Sequence, residues 1–181
     1  MKVKNILIDA ALMLGREDIA DYLYGNSSDD GIVKEVEAIT RAYNLVESEM
    51  AIYYKPLLFS ETITVTGGFI PYTAFSKRVV AVEKIINGGV LQEFTHLANG
   101  VKTQSGLLEI IYRYAPERKD FEDDSEFQTG EDHALALGVA CEFSLASGLY
   151  EQAVTWDRKY KDSLLNICRK KGEKIKMRGW V

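Results

Sequence analysis

Histidine, cysteine and proline are scarce in this chain. Its 181 residues include 2 His, 2 Cys and 3 Pro. Two Cys cannot build a disulfide scaffold, and they fall short of the usual structural zinc sets unless both His join them. Two His leave little room for a histidine-rich metal centre, and neither His96 nor His133 has a partner at metal-ligand spacing. Long apolar runs are missing too. The longest, Ala134–Cys141, has eight residues and includes Gly138, against the ~20 of a membrane-spanning helix. There is no nucleophile elbow and no Gly-rich phosphate loop, since Gly67-Gly68 and Gly88-Gly89 fall in hairpins and do not open helices. The acidic residues Asp120, Glu122, Asp123, Asp124 and Glu126 lack the spacing and the turn glycine of a calcium hand. No catalytic set, cofactor or metal is expected. The opening Met1–Asp9 briefly resembles a signal peptide. Asp9 interrupts it, however, and no small-x-small cleavage site precedes Gly15-Arg16-Glu17-Asp18. It reads as the first helix of a cytoplasmic protein.

The rest of the composition is that of an ordinary globular chain, 46% apolar and 27% charged. The net charge of −5 hides an asymmetry. From Arg158 onward there are nine basic and two acidic residues; before it there are 13 basic and 25 acidic. Eight of those acids lie in Glu117–Asp132. A chain acidic in one segment and basic in another can associate with copies of itself or dock unlike partners; the plainer reading is a solvated loop and a solvated helix end. The basic segment has few aromatics, which argues against nucleic-acid recognition. Ten Tyr are many for this length and suit interfaces, although core packing is their commoner use.

Periodicity predicts helices at both ends of the chain and strands between. Val3, Ile6, Leu7, Ala10 and Leu14 have helical spacing, and Asp18–Leu23 reads as a second helical stretch closed by Gly25. Ile32, Val36, Ile39, Tyr43, Val46, Met50 and Tyr53 alternate spacings of four and three. They form a heptad-like seam on one helix that ends before Pro56, either a coiled coil or, more simply, the core helix of a bundle. Strands are expected at Phe59–Thr66, Phe69–Tyr72, Arg78–Ile86, Val90–Thr95 and Leu107–Tyr114. Their turns are Gly67-Gly68, Asn87-Gly88-Gly89 and Asn99-Gly100. Thr129-Gly130-Glu131-Asp132 resembles a capping box before a helix to Ser147, which has no charge between His133 and Cys141 and should be buried nearly all round. A last helix starts at Tyr150 with the apolar stripe Ala153, Trp156, Tyr160, Leu164 and Ile167. Cys141 and Cys168 read as buried free thiols on neighbouring helices. The expected fold class is α+β, mainly an α-helical bundle with an inserted antiparallel β lobe. Its parts are bundle helices at 1–56, the β lobe at 57–116, the acidic loop and returning helices at 117–171, and a basic tail at 172–181.

The stretch Glu142-Phe143-x-Leu145-x-x-Gly148-Leu149-Tyr150-Glu151-x-Ala153-x-x-Trp156-x-x-x-Tyr160-x-x-x-Leu164, with the basic helix end and Arg178-Gly179-Trp180-Val181 after it, resembles the head–tail connector proteins of tailed phages and prophages. These are also called head completion or adaptor proteins. The resemblance extends to Ile6-Leu7-Ile8-Asp9-Ala10-Ala11 and to Tyr53-Tyr54-Lys55-Pro56-Leu57. It implies a non-enzymatic virion protein of the phage neck, present in the host cytoplasm during assembly. Such proteins form a ring, usually a dodecamer, under the portal. The partners implied are other copies of the chain, the portal protein and a tail-side stopper or tail terminator protein. DNA passes through the ring without specific binding, and an acidic body fits such a conduit. Within this reading the tail is expected to dock on the portal or on a neighbouring copy. Trp180 would be its anchor, and Lys174, Lys176 and Arg178 would meet acidic groups. Trp156 and Tyr160 are the candidate core or interface aromatics. The alternative is a small monomeric cytoplasmic binding or regulatory module.

Overall fold

A computed structural model describes residues 1–26, 31–127 and 130–168. Among the described residues there are five α-helices and seven strands in two antiparallel sheets. This corrects the expected fold class. The protein is a mixed α+β fold, 48% helical and 27% strand over the described residues, and not a helical bundle carrying a lobe. The strands enclose a hydrophobic core of their own, so they stand as a layer architecture in their own right.

The chain divides into two compact units. One comprises Met1–Glu49 with the chain from Arg118 onward; the other is Met50–Glu117. The first unit holds α1 (Val3–Met13), α2 (Glu17–Tyr24), α3 (Val33–Glu49), α4 (Asp132–Ala146) and α5 (Tyr150–Ile167). Helix α4 packs against α1, α3 and α5. Every residue from Ala134 to Cys141 is buried, as a helix without a charged face demands. Gly138 lets the helices approach. A Cβ there would lie 2.6 Å from Val46 Cγ1 on α3 and 3.1 Å from the Tyr160 ring on α5. Of the expected capping box, Thr129 lies outside the described residues; the Asp132 carboxylate accepts the Gly130 N–H at 3.1 Å.

The seam on α3 is buried at Val36, Ile39, Tyr43, Val46 and Met50, whereas Tyr53 is 75% exposed. The cause is a π-helical turn over Met50–Tyr54, in which the Lys55 N–H reaches back five residues to the Met50 carbonyl at 2.8 Å. The wider turn rotates Tyr53 off the 3.6-residue stripe.

The second unit contains a four-stranded sheet, in spatial order β1 (Leu57–Val65), β7 (Gly106–Ala115), β3 (Arg78–Asn87) and β4 (Val90–Gln92). A three-stranded sheet runs β2 (Phe69–Pro71), β6 (Gly100–Lys102) and β5 (Thr95–Leu97). Ile70 and Val101 from the smaller sheet join Val65, Val82, Ile85, Leu108, Ile110, Tyr112 and Tyr114 from the larger one in a common core. The β3–β4 hairpin turns at Gly88-Gly89, with Asn87 opposite Val90. Gly67-Gly68 does not close a hairpin, because β1 pairs with β7 and β2 with β6. That turn carries the chain from one sheet to the other. The single strand expected over Val90–Thr95 is likewise divided, its two ends belonging to different sheets. Gly100 is a strand residue opposite Leu97, so the turn is Ala98-Asn99. A Cβ at Gly100 would collide with the Ile70 carbonyl and come within 2.8 Å of the Phe69 ring, which leaves glycine as the residue that allows β2 and β6 to meet.

Candidate functional site

The groups with catalytic potential are occupied or remote. The Cys141 thiol is buried, approaches the Ala153 carbonyl at 3.5 Å, and is pushed up to about 11 by burial. A thiol held protonated is a poor nucleophile. Cys168, expected to be buried, is only partly buried at the end of α5. His96 is exposed beside Phe94 and Tyr72, and His133 is exposed at the start of α4. Among the described residues no group of three or more His, Cys, Asp or Glu is placed to hold a metal ion, and no helix is long and apolar enough to cross a membrane.

The acidic segment, readable from sequence as a solvated loop, anchors the start of α1. The first amides of an α-helix have no partner within the helix. Here the Val3 N–H donates to the Asp123 carbonyl at 3.0 Å and the Lys4 N–H to the Phe121 carbonyl at 2.9 Å. The Ser125 N–H returns a bond to the Met1 carbonyl at 2.8 Å. Lys2 pairs with Asp124 at 3.2 Å and Lys4 with Glu122 at 3.6 Å. Carboxylates beside a helix N-terminus also meet the positive end of its dipole.

Behind this clamp lies a buried residue that sequence reasoning missed. Glu47 on α3 is fully buried. Its Oε1 accepts the Tyr43 hydroxyl at 2.7 Å, the Glu126 N–H at 2.9 Å and the Ser125 hydroxyl at 3.2 Å. Lys119, ion-paired to Glu126 at 3.0 Å, adds a nearby positive charge. Burial raises the carboxyl above its ordinary range, against the opposing pull of these donors and of Lys119. Asn44, one turn of helix away from Thr40, bonds the Lys119 backbone through both ends of its amide, at 2.7 and 2.9 Å. Glu47 therefore ties α3 to the segment that holds α1. Its signal in the sequence is position: it lies four residues after Tyr43 and three before Met50, on the edge of the apolar seam.

The expected tail contacts, Lys174, Lys176, Arg178 and Trp180, lie outside the described residues. The two α5 aromatics differ in setting. Tyr160 is buried against α4, whereas Trp156 is half-buried, with the Lys159 ammonium 4.4 Å from its ring centroid. Trp156 lines an open hollow of about 550 Å³, with Met13, His133, Leu137 and Asp162 around it. Tyr160→Ala should therefore cost ~3–5 kcal/mol and Trp156→Ala only ~1–2 kcal/mol. Chemical denaturation of the two variants measures the gap; equal losses would mean that Trp156 is as deeply packed as Tyr160.

Where α4 turns into α5, apolar side chains gather outside the core. Leu145, Leu149, Tyr150 and Val154 are all exposed, Tyr150 at 69% and Val154 at 71%. Tyr150 and Val154 are one helical turn apart on the same face. The acidic Glu151 lies beside them. No protein-family model matches the chain, and no curated protein matches it.

Proposed function

We propose that the protein is a non-enzymatic head–tail connector of a tailed phage or prophage, assembling with copies of itself into a ring under the portal, through which DNA passes from capsid to tail. The observation that carries this reading is the exposed apolar corner of Leu145, Leu149, Tyr150 and Val154. It falls inside the stretch that resembles the connectors, and it contributes little to the protein's own core. Apolar clusters of this kind mark contacts with other chains. The acidic balance of the residues before Arg158 suits walls that must not retain a polyanion. The partners in this reading are neighbouring copies, the portal protein and a tail-side stopper or terminator. The place of action is the virion neck, after assembly in the host cytoplasm.

The test is a double substitution at the corner, Tyr150→Asp with Val154→Asp. The wild-type protein should sediment as a closed oligomer and co-purify with portal protein. The variant should lose the closed oligomer and its co-purification with portal, at a melting temperature within about 2 °C of wild type, since both side chains are exposed. A wild-type protein that stays monomeric at every concentration and never associates with portal would favour a small binding or regulatory module instead.

A further inference from the structure

Natural sheets protect their edges with short strands, Pro, Lys or bulges, because an open edge offers a row of unpaired backbone groups. Three of the four sheet edges here follow that rule. β4, β2 and β5 are three residues each, and β2 ends in Pro71. The fourth does not. β1 is nine residues long, contains no Pro or Lys, and pairs with β7 in an unbroken register from Leu57–Tyr114 to Val65–Gly106. By contrast, the β3–β7 ladder shifts register twice. The one charged residue of β1, Glu61, does not guard the edge. Its carboxylate accepts the Tyr112 hydroxyl at 2.6 Å and the Ser76 N–H at 3.0 Å. Among the described residues no strand lies along the other side of β1.

We propose that β1 receives an added strand from a second copy of this chain, and that the donor is Lys174–Val181. The pattern of that segment is the argument. Lys174, Lys176, Arg178 and Trp180 alternate with Ile175, Met177, Gly179 and Val181. Such a period of two suits a strand with one apolar and one basic face. Eight extended residues span ~26 Å, nearly the length of β1. Laid antiparallel with Trp180 opposite Leu58, the segment places Arg178 opposite Ser60, Lys176 opposite Thr62 and Lys174 opposite Thr64. Ile175 and Val181 then fall opposite Ile63 and Leu57, which pack against the core of the sheets. The basic set meets the face on which Ser60 donates to the Glu109 carboxylate at 3.0 Å, and Trp180 covers Leu58, otherwise 60% exposed. Strand addition supplies affinity through the backbone and specificity through alternate side chains. A donor on one copy and an acceptor on the next make a head-to-tail contact, the kind that closes into rings. The inference takes its partner, a second copy, from the oligomer reading above and adds the contact that links neighbours.

Self-association of the purified chain, followed by sedimentation velocity, is the test. Two paired variants and a truncation decide it. Thr62→Lys with Thr64→Lys puts like charge opposite the donor on an exposed face, and should weaken association at least tenfold at unchanged melting temperature. Lys174→Glu with Lys176→Glu should help little by itself, but combined with the edge lysines it should restore most of the lost affinity. Truncation after Lys171 should abolish the contact. Mixing truncated chain with the Thr62→Lys/Thr64→Lys chain should give a strict one-to-one pair with no further growth, because the only tail present meets an unmodified edge in one direction and there is no tail or open edge to pair in return. That capped pair is the expected result, and larger species from the mixture would overturn the proposal. So would association that survives truncation at wild-type strength, through paired β1 edges or the α4–α5 corner alone, or a charge swap that restores nothing. The measurement needs no portal or particle, so failure of the connector reading would leave it standing, while its own failure would leave the α4–α5 corner as the oligomer contact.

Discussion

Glu47→Ala should be among the most destabilising single substitutions in this protein, costing ~4 kcal/mol. Three donors converge on Glu47 Oε1, from Tyr43, Ser125 and the Glu126 amide. Alanine strands the buried Tyr43 hydroxyl and takes the shared acceptor from the partly buried Ser125 and Glu126 donors; an unsatisfied buried group costs about 1–3 kcal/mol. Removing one member of a buried ionic network costs about 3–5 kcal/mol. The loss is a large part of a typical total stability of about 5–15 kcal/mol. It should also spread along the chain. Ser125 and its neighbours hold the first turn of α1, so the Val3 and Lys4 amides should exchange faster with deuterium in the variant. Urea unfolding with hydrogen exchange at these two amides checks both parts; a loss under 1 kcal/mol would mean that the network is dispensable. Glu47→Gln separates charge from hydrogen bonding, because it keeps an acceptor for the three donors. The wild-type carboxyl is raised in the folded state, so the folded protein holds that proton more tightly than the unfolded chain. Its contribution to stability is full below the ordinary value of 4.5 and is lost as pH rises through the folded value. The advantage of wild type over Glu47→Gln should therefore shrink from acid to neutral pH. An advantage that grows with pH would reverse the sign of the shift.

Gly138→Leu should unfold the helical unit almost as effectively, by ~3 kcal/mol or more. The site is tight before any side chain is added, with Val46 Cγ1 2.6 Å and the Tyr160 ring 3.1 Å from where a Cβ would sit. Val46 is fully buried and Tyr160 nearly so, which leaves neither room to retreat. Overpacking of this kind costs about 1–3 kcal/mol for modest insertions. Gly138→Ala is the more informative variant. It gains ~1 kcal/mol of helix propensity and still should lose stability on balance. Val46→Ala should open the space the new methyl needs, so the Val46→Ala/Gly138→Ala pair should lose less than the sum of its parts. Additive losses would show that Gly138 and Val46 do not meet.

These two sites also separate what local pattern can reveal from what it cannot. The charge-free run around Gly138 announces a helix buried on all sides, and the spacing from Val36 to Met50 announces the face of α3 that is buried. The Asn87-Gly88-Gly89 turn is legible because a hairpin is closed by residues that neighbour each other in sequence. Glu47 is not legible, because its identity is that of a surface residue and its burial depends on Ser125, Glu126 and Lys119, far along the chain. The same distance hides the pairing of β1 with β7 and turns the apparent hairpin at Gly67-Gly68 into a passage between sheets. The π-helical turn that releases Tyr53, and the half-exposure of Trp156, follow from how neighbouring elements meet. By itself the sequence determined which stretches are helical or extended and which of their faces are apolar, since those depend on side-chain periodicity against a backbone period of 3.6 or 2. Only the tertiary structure decided which faces and edges meet, because non-local pairing is settled by the burial and hydrogen bonding it completes, and no short window of sequence contains both partners.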